Sequence, residues 1–125
     1  MKQAVYTSNA PEPIGPYNQA ILSRNTLYVS GQIPIDPSTN SLLEGSISDQ
    51  THLVMKNIGS ILGAASLSFK HVVKCSIFIK NMDDFAEINK AYGSYFDDVP
   101  PARETVEVSR LPKNVLVEIS CIAVK

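Results

Sequence analysis

Val115-Leu116-Val117-Glu118-Ile119-Ser120-Cys121-Ile122-Ala123-Val124 is a run of strand-forming and apolar residues broken by one acid. Alternation places Val117, Ile119 and Cys121 on one face, and Leu116, Ile122 and Val124 around Glu118 and Ser120 on the other. A strand apolar on both faces is buried from both sides. If helices of the same chain cover one face, the other predicts contact with a second copy. A carboxylate within such a strand is costly unless something compensates it. A residue that contradicts its local pattern in this way marks a candidate working site.

Working outward, Glu104–Arg110 sets Thr105, Glu107 and Ser109 against Val106 and Val108. Leu111-Pro112-Lys113-Asn114 is then a short turn, predicting an antiparallel hairpin with the last strand. His71–Lys80 is another strand, with Val73, Cys75, Ile77 and Ile79 facing one way and Lys74, Ser76 and Lys80 the other. Ser48 is the candidate N-cap of a first long helix whose apolar positions 54, 58, 61, 62 and 65 share one face. A second helix begins near Asp83, carries Phe85, Ile88, Tyr92, Tyr95 and Phe96 on one stripe, and is stopped by Pro100-Pro101. The first third holds an edge strand at Gln3–Tyr6 and a strand at Leu27–Gly31 that ends on its glycine. A rigid, proline-rich segment leads to Tyr17, and a turn-rich loop runs over Pro34–Gly45. Strands, helix, strand, helix and two strands predict an α+β two-layer domain with both helices on one face.

The chain of 125 residues is one domain, 1–125, without repeats or low-complexity linkers. A net charge of −1 and the lack of any basic run predict no broad attraction to nucleic acid or anionic lipid. No apolar stretch is long enough to span a membrane, and Met1-Lys2-Gln3-Ala4 opens no secretory segment. Cys75 and Cys121 lie in apolar strand contexts without CxxC spacing, which predicts two small buried thiols rather than a disulfide, metal site or nucleophile. Together these features point to the cytoplasm.

Arg103, held by the preceding Pro100-Pro101, offers a planar fork that binds a carboxylate through two parallel hydrogen bonds; the alternative is an exposed arginine at a loop–strand junction. Glu118 has its own alternatives, a carboxylate that escapes at a sheet edge or one paired with a structural cation. Buried, it either raises its pKa or finds a donor. With the hairpin centred between Pro112 and Lys113, Glu118 falls opposite Glu107 and Arg103 lies on the order of 13 Å away along the strand. A shared site then needs a bridging substrate or water, a bent strand, or a cleft between subunits. His52 and His71 lack metal-ligand spacing to each other or to the cysteines. Ser30-Gly31 presents a hydroxyl at a strand end but has no GxSxG context. Tyr17 is either core or a phenol closing a pocket, and Asn89 is a polar residue within the second helix.

Several segments in order carry a family resemblance: Ile14-Gly15-Pro16-Tyr17-Asn18-Gln19, Ser30-Gly31-Gln32-Ile33-Pro34, Pro101-Ala102-Arg103, Val106-Glu107-Val108, Leu111-Pro112-Lys113 and Val117-Glu118-Ile119. Across about residues 3 to 124 the chain resembles the Rid proteins, the reactive intermediate deaminases, and in its arginine-bearing pattern the RidA subfamily. Each tripeptide alone is weak; their ordered co-occurrence carries the resemblance. It implies a chorismate-mutase-like α+β fold, a mixed β-sheet with two helices on one face, assembled as a homotrimer with clefts between subunits. It implies hydrolysis of 2-imino acids, such as 2-iminopropanoate and 2-iminobutanoate, to 2-oxo acids and ammonia, with no metal or organic cofactor. By position, Arg103 would hold the substrate carboxylate and Glu118 would orient water. Tyr17, Ser30, Gly31 and Asn89 match pocket positions. Many relatives carry a second acid two places after the first, where this chain has Ser120. An RNA-directed translation inhibitor and a non-catalytic ligand-binding module are the competing classes, and the near-neutral charge weighs against the first.

Overall fold

A computed structural model describes residues 1–125. In chain order the elements are β1 (Lys2–Val5), β2 (Ala20–Ser23), β3 (Thr26–Gln32), β4 (Ile35–Asp36), β5 (Ser41–Leu42), α1 (Ile47–Ala64), β6 (Val72–Ile79), α2 (Phe85–Gly93), β7 (Ala102–Glu107) and β8 (Val117–Val124). Six strands form one sheet in the order β1-β2-β3-β8-β6-β7, and β4 with β5 forms a separate small hairpin inside the loop expected over Pro34–Gly45. Every pairing in the large sheet is antiparallel except β6 with β7, so the sheet is mixed. The fold is α+β in two layers, as the order of elements predicts. No helix is long and apolar enough to cross a membrane.

The expected β7–β8 hairpin does not form. β6 lies between the two strands, parallel to β7 and antiparallel to β8. Parallel neighbours need a crossover, and α2 supplies it between β6 and β7. Residues 108–116 then pass around the end of β6. The Val108 amide donates to Ile79, and the Lys80 amide to Leu116. The segment is no simple turn because its apolar residues are anchors. Leu111 and Val115 are buried with Ile33 and Ile35 in a second cluster, against which Phe78 and Val108 pack. Between them Pro112–Asn114 is a 3-10 turn with Lys113 and Asn114 at positive φ.

The main core lies between the sheet and both helices. Cys75, Ile77 and Ile79 of β6 and Val117, Ile119 and Cys121 of β8 meet Val54, Met55, Ile58, Ile61 and Leu62 of α1 and Ile88 and Tyr92 of α2. Ser46, not Ser48, caps α1, its hydroxyl accepting from the Asp49 amide at 3.0 Å. α2 ends at Gly93, well before Pro100, where the Ser94 side chain and amide both bond the Ala91 carbonyl. Its first turn is a separate 3-10 segment, Met82–Asp84, capped by Asn81.

Two bulges adjust the alternation. β6 gains a residue between Val72 and Lys74 relative to β8, so Val72 is buried and Val73, expected inside, is 48% exposed. β3 advances from Val29 to Gln32 while β8 steps only from Cys121 to Ile119. The strand therefore continues past Gly31 to Gln32, with Ser30 and Gly31 sharing the position opposite Ser120.

Apart from Phe78, which packs on the second cluster, the face away from the helices is largely uncovered within the chain. Tyr28, Val106 and Val124 are exposed on it, around the half-buried Phe78 and Ile122. Ile119, fully buried on the opposite face, gives the test of the layer assignment. Ile119→Ala should destabilise the fold by about 2–5 kcal/mol in urea denaturation with unchanged m-value.

Candidate functional site

Register decides where the candidate residues point, because residues paired across neighbouring strands share a face. Arg103 pairs with Cys75, which pairs with Cys121, so Arg103 belongs to the helix-covered face. Glu118 pairs with Phe78, which pairs with Val106, and so belongs to the open face. Phe78 thus replaces Glu107 as the cross-strand partner of Glu118. Arg103 and Glu118 stand two strands apart, offset by three positions, and point to opposite sides. A single copy does not bring them together.

Arg103 lies on the edge strand β7 beside α2. Its guanidinium carbon is 5.1 Å from the centre of the Tyr92 ring and 5.7 Å from that of Phe85. Asn89, half-buried, lies on the same helix between these two residues. No carboxylate of the chain pairs with Arg103. The one ion pair, Lys74 with Glu104 at 2.9 Å, lies on the open face. A hydrogen bond from Ser76 and then the Lys74 ammonium hold the Glu104 carboxyl below its ordinary range. Alternation thus turns Glu104 away from its sequence neighbour. Thr105 shares the face of Arg103, and its hydroxyl is buried without a partner.

The other half of the site gathers around the β3 bulge. The Ser30 hydroxyl donates to the Asn18 carbonyl at 2.6 Å, and the Ser30 amide to the Gln19 carbonyl at 2.9 Å. The Gln19 side chain is itself 2% exposed, donating to the carbonyls of Thr7, Ala10 and Pro11 and accepting from the Thr7 amide. This one amide fixes the proline-rich segment that carries Tyr17. The Tyr17 ring is partly exposed, its hydroxyl accepts from the Ile14 amide at 3.2 Å, and it lines a small hollow with Gly31, Pro11 and Pro13. A Cβ at Gly31 would lie 2.6 Å from a Glu118 carboxylate oxygen. Any larger residue at position 31 would force the Glu118 side chain to shift from this position. Glu118 makes no hydrogen bond or ion pair, and burial raises its pKa.

The structure thus sorts the sequence candidates into two groups, Arg103 with Asn89, and Glu118 with Gly31, Ser30 and Tyr17. Sequence reasoning missed Phe85 and Tyr92 as neighbours of Arg103, since both fit a core stripe. Their signal is the i, i+7 spacing of two rings on the crossover helix beside the arginine strand. It missed Gln19 because a buried glutamine has no periodic signature. Cys75 and Cys121 are free, buried and directly opposed, and burial pushes both thiols up. No three His, Cys, Asp or Glu side chains converge as a metal donor set.

The Endoribonuclease L-PSP family model matches residues 7–125. A RutC family protein of Pyrococcus horikoshii is 53% identical over 125 residues, covering 100% of this chain and 99% of the relative. The rat 2-iminobutanoate/2-iminopropanoate deaminase is 41% identical over 125 residues, covering 100% of this chain and 91% of the relative. A crystal structure of a conserved Rid family protein from Yersinia pestis superposes with a TM-score of 0.97 at 48% identity, with full coverage of both chains.

Two outcomes follow from the Glu118 environment. Because the folded state favours the neutral carboxyl, its stabilising contribution is complete below the unfolded-chain pKa and is lost as pH rises through the higher folded value. Glu118→Gln should therefore match the parent protein in urea melts near about pH 3 and exceed it at about pH 7. Gly31→Ala should leave the circular dichroism spectrum intact but displace the carboxyl, and the crystal structure of the variant would show the shift.

Proposed function

Since the chain belongs to the Rid family, within the Endoribonuclease L-PSP group, we propose that it hydrolyses reactive 2-imino acids to 2-oxo acids and ammonia. The observation that carries this reading is an arginine without an internal anion together with a half-buried carboxyl without an internal donor. Each lacks what a small imino acid and a water would supply. The 41% identity to a 2-iminobutanoate/2-iminopropanoate deaminase supports the substrate class.

The two halves join between copies of the chain, in a homotrimer with clefts at its interfaces. Arg103 stands on an edge strand beside α2, and Glu118 on the face away from the helices, much of which the chain leaves exposed. A neighbouring copy is what brings an open face against such an edge. Exposed Tyr28, Val106 and Val124 give that contact apolar surface.

In such a cleft Arg103 grips the substrate carboxylate through two parallel hydrogen bonds and fixes C2 relative to Glu118. Water held by the Glu118 carboxylate adds to the iminium carbon as its proton passes to the carboxylate, giving a carbinolamine. The protonated carboxyl then returns that proton to the amine nitrogen. As the C–N bond breaks, the carboxylate takes the proton of the C2 hydroxyl, so that ammonia leaves, C2 becomes the carbonyl and the carboxyl passes its proton to the departing ammonia. A raised pKa suits a group that must both take and return a proton near neutrality. Tyr17, Ser30, Gly31 and Asn89 shape the pocket. Ser120, opposite the Ser30–Gly31 bulge, puts a neutral hydroxyl on the same face as Glu118.

The family description also names an endoribonuclease, which makes RNA cleavage the second reading. A net charge of −1 offers little for a phosphate backbone.

With threonine dehydratase generating 2-iminobutanoate, the protein should accelerate the appearance of 2-oxobutanoate. Arg103→Ala should abolish the acceleration, and Arg103→Lys should restore only a small part because it lacks the planar fork. An Arg103→Ala variant as active as the parent would remove the carboxylate-clamp role. Salt-sensitive cleavage of single-stranded RNA by the purified protein would favour the second reading.

A further inference from the structure

We propose that Phe85 and Tyr92 are positioning residues that hold the Arg103 guanidinium by their ring faces and so leave its N–H donors free for a ligand. The inference deepens the deaminase reading and rests on Arg103 being the carboxylate clamp.

An arginine can be fixed by an acid, by carbonyl acceptors or by aromatic faces. The first neutralises it and the second occupies its donors. Only the third immobilises the cation while leaving all five donors available. Arg103 takes that form. It has no ion pair, and two rings lie 5.1 and 5.7 Å from its central carbon. The nearest acid in sequence, Glu104, is turned to the other face and held by Ser76 and Lys74.

The two rings differ in support. Tyr92 is 5% exposed and sits in the main core, so its position is set by packing. Its hydroxyl has no hydrogen-bond partner of ordinary geometry and lies beside the Cys75 thiol. Phe85 is 40% exposed at the start of α2. Their spacing on the helix brings both to the same side, over the β7 residue that the β6–β7 register delivers there. The hydroxyl of Tyr92 thus contributes little, and its ring face is the part that acts on Arg103.

The test uses the full-length protein with two readouts, the side-chain NMR signals of Arg103 and the affinity for 2-oxobutanoate, a stable carboxylate probe. In the parent protein, ring currents should shift the Arg103 side-chain protons upfield. Tyr92→Leu should lose most of that shift and weaken 2-oxobutanoate binding about tenfold, the size of one partly desolvated cation–π contact. Tyr92→Phe should keep the shift and bind within about twofold of the parent, since the ring face remains. Phe85→Leu, at the exposed ring, should lose part of both signals, and it carries the test alone if Tyr92→Leu does not fold. Leucine variants that leave shift and affinity unchanged would overturn the proposal, as would Tyr92→Phe behaving like Tyr92→Leu. If the parent binds no 2-oxobutanoate, the clamp and with it the deaminase reading fail, while the Arg103 shift still reports whether the rings hold the guanidinium.

Discussion

The unbroken alternation of side chains across β7, β6 and β8 beyond the bulge at Val73 is the constraint on which the rest of the site depends. It binds Arg103 to the register row of Cys75 and Cys121, and Glu118 to that of Phe78 and Val106. One row faces the helices and the other faces away. The same parity separates Arg103 from Glu104, which would otherwise be its nearest anion. A shift of one residue in any of these pairings would exchange the faces and bury the wrong groups. The β3 bulge is the exception nearest Glu118. It lets two residues, Ser30 and Gly31, stand opposite Ser120 and brings bare backbone against the Glu118 carboxyl.

The charges on the two halves follow different physics. Arg103 keeps its donors free because the aromatic faces beside it attract a cation without accepting hydrogen bonds. Glu118 is held where half-burial disfavours ionisation and no donor offsets the cost. At Glu118 stability is given up locally, and the fully buried residues of the helix-facing core, among them Ile77, Val117 and Ile119, supply the compensation.

Much of the fold was legible in the chain because apolar periodicity reports burial directly. Both helices, the β6 and β8 strands and the two-layer class follow from spacing alone. Failures cluster where local and tertiary signals compete. Leu111-Pro112-Lys113-Asn114 has the length of a hairpin turn, but burial of Leu111 and Val115 with Ile33 and Ile35 draws the segment around β6. Val73 satisfies the alternation on paper, and a bulge exchanges it with Val72. Ser46 and Ser48 are equivalent as cap residues, and only geometry chooses between them. Glu118 and Arg103 stood out as charges among apolar or rigid neighbours. Their placement on opposite faces was not visible, since it depends on which strand lies between β7 and β8.

The position of β8 has a bearing on how the chain folds. It follows every other element in order of synthesis, yet it sits between β3 and β6 in the middle of the sheet. Until it inserts, the strands before it form two separate groups with unpaired inner edges, and contacts spanning most of the chain must close together. Assembly is therefore cooperative and late. On the ribosome the central ladder cannot zip until β8 has emerged, and until then the chain depends on whatever shields those edges from other chains.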